Sequence, residues 1–204
     1  MKTIKKPVEA SINIKKSNFI ARIFPVKNKE QTNNIIKEIS TKYADARHNC
    51  TAYILSDSRG YDDDGEPSGT AGKPMINVLE KNQLSNIVVI VTRYFGGIKL
   101  GAGGLVRAYS NAVLTALEDA EIVNMEPFNI YEVIIDYQNI KDIEAAFRKY
   151  KLHIIKKDYS QQVSYFIASN NDDIINSLEE KFNSSLIIKN HGIEYLEVDK
   201  KKCK

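Results

Sequence analysis

Apolar and polar positions alternate through VEASINIKKSNFIARIFPV, Val8 to Val26, on both sides of a polar KKSN. A period of two interrupted by a short polar insert predicts two strands joined as a hairpin. The period then lengthens: Ile35, Ile39 and Tyr43 repeat at helical spacing, which predicts a helix from about Glu30 to Tyr43. CTAYIL, Cys50 to Leu55, is rich in β-forming residues and predicts a short strand. SDSRGYDDDGEPSGTAG, residues 56–72, is dense in turn formers and reads as one long loop. Lys73 to Lys81 predicts a helix, because Pro74 suits a first turn and Met75, Val78 and Leu79 recur at helical spacing. NIVVIVTRYF, Asn86 to Phe95, is almost unbroken in its apolar character, as expected of a central strand buried on both faces.

The strongest helical pattern follows a glycine-rich stretch: Leu105, Ala108, Tyr109, Ala112, Val113, Ala116, Leu117 and Ala120 keep the i, i+3, i+4 rule over four turns. Asn124 to Phe128, with Pro127, reads as a turn that ends this organisation. Beyond it the patterns predict a strand near 129–136, a helix near 139–150, strands near 152–158 and 161–168, a helix near 171–182 and a strand near 186–198. That βαββαβ order is the ferredoxin-like arrangement. The expected class is α+β in two domains, residues 1–127 and 128–204, with the terminal KKCK frayed.

Composition narrows the setting. With 43% apolar and 27% charged residues, the 204-residue chain has the make-up of a globular protein. No apolar run approaches the roughly 18 residues that would argue a membrane span. MKTIKKPVEASINIKK has lysines with no apolar segment behind them, so no secretory signal is expected. Two distant cysteines, Cys50 and Cys203, make no disulfide framework, and the chain reads as cytoplasmic.

A net charge of +3 matters less than its placement. Residues 57–66 hold five acids, Asp57, Asp62, Asp63, Asp64 and Glu66, whereas Lys81 to Leu117 holds none alongside Lys81, Arg93, Lys99 and Arg107. Such a distribution suggests a local anion-binding surface.

RYFGGIKLGAGGLVRAYS, Arg93 to Ser110, packs five of the ten glycines into nine residues between a buried strand and a strong helix. Unpaired N–H groups and the helix dipole at that junction favour an anion. Gly101, Gly103 and Gly104 allow positive φ and close approach, and Arg93, Lys99, Arg107 and Ser110 supply charge and polarity. The same glycines also serve tight turns and close helix–sheet packing without a ligand. Neither the P-loop pattern nor GxGxxG is met. In YDDDGEPSGTAGKP, the carboxylates Asp62, Asp63, Asp64 and Glu66 suit magnesium or a basic protein partner, against the plainer reading of a solvated turn. His48, Asn49 and Cys50 follow one another on an expected strand. A Cys–His nucleophile requires the ring to reach the sulfur, and a buried thiol beside a hydrogen-bonded imidazole is the simpler state.

Taken together, AxHNCxAY (Ala46 to Tyr53), DDGEPSGTAGKPM (Asp63 to Met75) and VTRYFGGIKLGAGGLVRAYSNA (Val91 to Ala112) closely resemble the YigZ/IMPACT family. The resemblance implies a first domain with the β-α sandwich shared by a small-subunit ribosomal protein, GHMP kinases and domain IV of elongation factor G. It implies a second domain similar to domain V of that factor, a place in translational control, and no established reaction or cofactor.

The expectation is therefore a non-catalytic, translation-associated regulator that meets RNA or the ribosome through Arg93, Lys99 and Arg107, with His48, Asn49 and Tyr94 in support. Tyr94, Phe95 and Tyr109 are candidates either for base stacking or for the core. Two alternatives stay open: a nucleotide-binding enzyme by analogy with GHMP kinases, with magnesium on the acidic loop, and a protein-interaction regulator that uses that loop.

Overall fold

In the computed structural model, which describes residues 1–198, the chain divides into two compact units, Met1–Asn124 and Met125–Val198. The KKCK tail and Cys203 lie outside the described residues.

The first unit is organised by a five-stranded sheet. The hairpin forms as β2 (Val8–Ile14) and β3 (Ser17–Pro25), after a three-residue strand β1 (Lys2–Ile4) that the pattern was too short to reveal. A helix α1 (Lys29–Lys42) begins at Asn28, whose side chain accepts a hydrogen bond from the Gln31 amide, as a helix-capping residue should. Then come β4 (His48–Ile54), β5 (Arg59–Asp62), α2 (Gly72–Lys81), β6 (Ile87–Tyr94) and α3 (Ala102–Glu118). The sheet order is β2-β3-β6-β4-β5, and every neighbouring pair is antiparallel. Residues 56–72 are thus not one continuous loop, because Arg59–Asp62 pairs with Ile54–Thr51. Gly60 and Asp62 gave this edge strand a turn-like composition that β4 overrides.

β6 sits at the centre and is buried from Ile87 to Arg93. Alternation along it divides the interior into two layers. Val89 and Val91 join Met75, Leu79, Leu105, Tyr109 and Ala112 under α2 and α3, while Val88 and Ile90 join Val26, Ile39 and Leu55 under α1. The last two buried residues continue that alternation with polar chemistry. Thr92, on the α1 side, accepts from the Arg22 guanidinium at 2.9 Å and donates to Asn49 Oδ1 at 2.8 Å. Arg93 belongs to the α2/α3 side and turns towards Glu66.

Glycine lets the loop after β6 close against the hairpin. A Cβ on Gly96 would lie 2.0 Å from the backbone carbonyl of Lys16, so only glycine permits this approach. Lys16 itself, with Lys15, turns the hairpin through positive φ at both central positions, the geometry of a two-residue turn that matches strand twist.

β7 (Ile122–Ile135) corrects the expected turn at residues 124–128. Residues 122–124 pair with β1 and residues 129–135 pair with β9 (Val163–Ser169). Pro127 falls between these stretches, where neither register calls on the N–H it lacks.

The second unit follows β7 with α4 (Ile140–Lys149), β8 (His153–Tyr159), β9, α5 (Asp172–Phe182) and β10 (Leu186–Val198), the expected βαββαβ succession. Its strands lie in the order β10-β7-β9-β8. Val133, Tyr165, Ile167, Phe147, Ile143 and Leu178 form its core. The whole is a mixed α/β chain with two sheets and five α-helices among the described residues. None of these helices is long and apolar enough to cross a membrane.

Candidate functional site

The end of β6 lies beside β4, with Arg93 opposite His48 and Thr92 opposite Asn49. That register joins two motifs separated by more than forty residues in sequence. The acidic segment then folds over the same place. Asp63 directs its carboxylate back into its own loop, accepting from the amides of Gly69 (2.7 Å), Ala71 (3.0 Å) and Gly72 (2.8 Å). Ala71 is the residue at the N-terminal boundary of α2 and has no side chain for capping, so Asp63 caps that helix from upstream. Asp64 accepts from the Asn49 amide, and Asp62 accepts from the Asp64 amide.

Glu66 enters the interior. Its side chain is 3% exposed, and its carboxylate accepts from Arg93 Nη1 at 2.5 Å and from the Tyr109 hydroxyl at 2.9 Å. Charge-assisted bonds of this kind hold a buried carboxylate in place. Arg93 is itself 6% exposed, and its guanidinium lies 5.2 Å from the Phe19 ring centroid and 5.4 Å from that of Phe95. Its Nε is buried without an acceptor.

His48 Nδ1 lies 2.7 Å from the Asp64 carbonyl, which can only accept, so Nδ1 carries the hydrogen. Nε2 faces Glu66 at 3.9 Å. Cys50 is on the same strand face but does not engage that imidazole. Its thiol lies 3.0 Å from the Asp63 carbonyl and 3.2 Å from the Tyr109 hydroxyl. Burial drives the thiol pKa well above its ordinary range, and burial followed by the neighbouring Cys50 does the same to Tyr109. Cys50 is therefore a protonated core thiol rather than an activated nucleophile.

Above this network opens a cavity of about 380 Å³ lined by residues of all three motifs, among them Arg47, His48, Glu66, Arg93, Phe95, Lys99 and Gly101. Gly101, with φ 72° and ψ 165°, turns the chain into α3, and no side chain caps the helix there. A residue with a Cβ would be strained in this left-handed conformation. The first amides of α3 remain available beside Lys99, which is exposed.

The expected anion-binding set is only partly assembled. Arg93, Lys99 and Gly101 line the cavity; Gly103, Gly104, Arg107 and Ser110 do not. Gly103 and Gly104 are helical residues rather than positive-φ ones. Arg107 follows the cavity-lining Leu105 by two residues, about 200° around a helix, and so points away. Asn49 and Tyr94 brace the opposite face: Asn49 donates to the Tyr43 carbonyl, and the Tyr94 hydroxyl binds Asp45. Asp62, Asp63 and Asp64 turn carboxylate oxygens to backbone amides, and among the described residues no group of three His, Cys, Asp or Glu is placed together to hold a metal ion.

Arg47 was absent from the expected set. It occupies the variable position of AxHNCxAY, and only its place beside His48 could have suggested it.

A family model described as the Impact N-terminal domain matches residues 15–117, a span that contains every residue of this cavity. This chain belongs to the IMPACT family. The IMPACT family member YvyE of Bacillus subtilis (strain 168) is 39% identical over 166 residues, covering 80% of this chain and 76% of the relative. The IMPACT family member YigZ of Escherichia coli (strain K12) is 36% identical over 167 residues, covering 79% and 82%. Protein IMPACT of Rattus norvegicus is 32% identical over 98 residues, covering 45% of this chain and 31% of the rat protein. A crystal structure described as that of a hypothetical protein matches with a TM-score of 0.66 at 31% identity, over 98% of this chain and 97% of its own. No reaction appears in the names of these IMPACT relatives.

Proposed function

We propose that the chain is a non-catalytic regulatory binding protein of the translation apparatus, which holds RNA phosphates, free or on the ribosome, at the α3 cavity of its first unit. The observation that carries this reading is the convergence on one concave surface of two exposed cations, Arg47 and Lys99, with the uncapped N-terminus of α3. Neither cation belongs to an ion pair among the described residues. Their charge and the helix-end amides are free to meet an oxyanion.

Arg93 supports the site from below, because Glu66 already takes up its charge. In this reading the first unit is the β-α sandwich found in a ribosomal protein and in elongation factor G, and the βαββαβ unit is the counterpart of that factor's domain V. The analogy with GHMP kinases is the weaker reading: Glu66 Oε1 is engaged by Arg93 and Tyr109, the Cys50 thiol is buried with its pKa pushed up by burial, and Asp63 turns its carboxylate to backbone amides.

The test is co-sedimentation of the protein with ribosomes, and binding of labelled RNA, over a series of salt concentrations. Association that weakens steeply with salt, with a shallower slope in Lys99→Ala, is the expected result. Association indifferent to salt and to Lys99→Ala overturns the reading.

A further inference from the structure

Three aromatic residues flank the glycine stretch, and the fold gives them three different environments. Tyr109 is wholly buried, edge-on to Phe19 at 5.3 Å, with its hydroxyl engaged by Glu66. Tyr94 is half-buried, and its hydroxyl is engaged by Asp45. Phe95 alone of the three lines the cavity, and it is 40% exposed.

A phenyl ring left open to water at the mouth of a cationic cavity has a defined chemistry. The guanidinium groups of Arg93 and Arg47 lie 5.4 and 5.7 Å from its centroid, so the ring and the exposed Arg47 together offer adjoining planar groups. Leu100 and Leu105 add apolar lining to the same cavity, and Lys99 and Gly101 line it as well. One concave surface therefore offers a stacking platform, an apolar wall and an oxyanion site. A duplex shows such a site only its phosphates. An unpaired nucleotide shows it both a phosphate and a base that is free to leave the stack.

Building on the phosphate-binding reading above, we infer that Phe95 is the stacking platform for an unpaired RNA base whose neighbouring phosphate is held by Lys99 and the first amides of α3. The ligand class is single-stranded RNA, such as a loop, bulge or end, rather than a helix.

The experiment measures binding of a labelled single-stranded RNA and of a duplex by fluorescence anisotropy, with Phe95→Ala, Phe95→Tyr and Lys99→Ala. Phe95 is exposed, so its variants fold, and an unchanged melting temperature verifies this. Phe95→Ala is expected to weaken single-strand binding by roughly fivefold to a hundredfold, the range for loss of one base–aromatic stack, without altering the salt slope. Phe95→Tyr is expected to restore it, and duplex binding is expected to change less than twofold. If Lys99→Ala lowers affinity but Phe95→Ala does not, the stacking role is wrong while the phosphate site stands. If neither substitution matters, both ideas fall. Equal losses for single strand and duplex overturn the stacking role, and competition by a nucleoside monophosphate at an affinity equal to that of the RNA reassigns the site to free nucleotide.

Discussion

The acidic loop and the glycine loop border the same cavity, yet they dispose of their polar groups in opposite ways. Asp63 accepts from three backbone amides, and Glu66 is buried against Arg93 and Tyr109. Across the cavity, Lys99 is exposed and the amides at the start of α3 have no side-chain cap. A charge already satisfied inside the molecule stabilises the fold, whereas a charge left without a partner at a concave surface is available to a ligand. Within one cavity, the difference separates charges engaged by the fold from charges left exposed, although both loops look equally chemical in sequence.

The largest effects fall on the satisfied side. Removing one member of the Arg93–Glu66 pair, as in Arg93→Ala or Glu66→Ala, strands its partner in the interior, and urea unfolding should show a loss of about 3–5 kcal/mol. The double variant Arg93→Met with Glu66→Leu should lose less than either single alanine variant. A double loss equal to the sum of the two would show that they act independently.

Asp63→Ala comes next. It leaves three loop and helix-start amides without their charged acceptor and should cost about 2 kcal/mol. Limited proteolysis should show earlier cleavage within residues 64–72. Equal protease resistance in wild type and variant would contradict the capping role of Asp63.

On the open side, stability and binding should separate. Lys99→Ala and Arg47→Ala should each change unfolding free energy by no more than about 0.5 kcal/mol. Each should also reduce the slope of log affinity for RNA against log salt by about one. A stability loss comparable to that of Asp63→Ala would erase the contrast between the loops.

A surface pair in the second unit calibrates the comparison from below. The hydrogen bond from Lys157 holds the Glu144 carboxyl below its ordinary range, with Tyr165 donating to the same oxygen. For a carboxylate with a lowered folded pKa, the stabilisation is complete above its unfolded value near 4.3 and disappears as pH falls through the folded value. Both side chains are partly exposed, so the contribution should be only a few tenths of a kcal/mol. Urea unfolding of wild type and Glu144→Gln at neutral pH and at successively lower pH should converge as the medium is acidified. A difference that widened below pH 4 would reverse the sign and refute this account.

Local pattern made most elements legible. β6 was evident because a central strand has no polar face to show, and α3 because its buried stripe repeats over four turns. β1 was too short to carry a period, and β5 hid behind Gly60 and Asp62 because its pairing with β4 outweighs its composition. Pro127 looked like a boundary, yet it sits in β7 because the ladder contacts of that strand change there.

The site was legible as a place but not as a mechanism. The sequence by itself determined the family signature, the β6–glycine–α3 junction and the local excess of cations, because each is a property of neighbouring residues. Only the tertiary structure decided that Arg93 is ion-paired with Glu66 while Lys99 and Arg47 are exposed and in no ion pair among the described residues, that Arg107 lies outside the cavity lining, and that Phe95 rather than Tyr109 faces the cavity. Those outcomes depend on which distant side chain reaches a charge first and on which face of a strand or helix meets the core. No local pattern encodes a partner that the chain brings from a distant loop or helix.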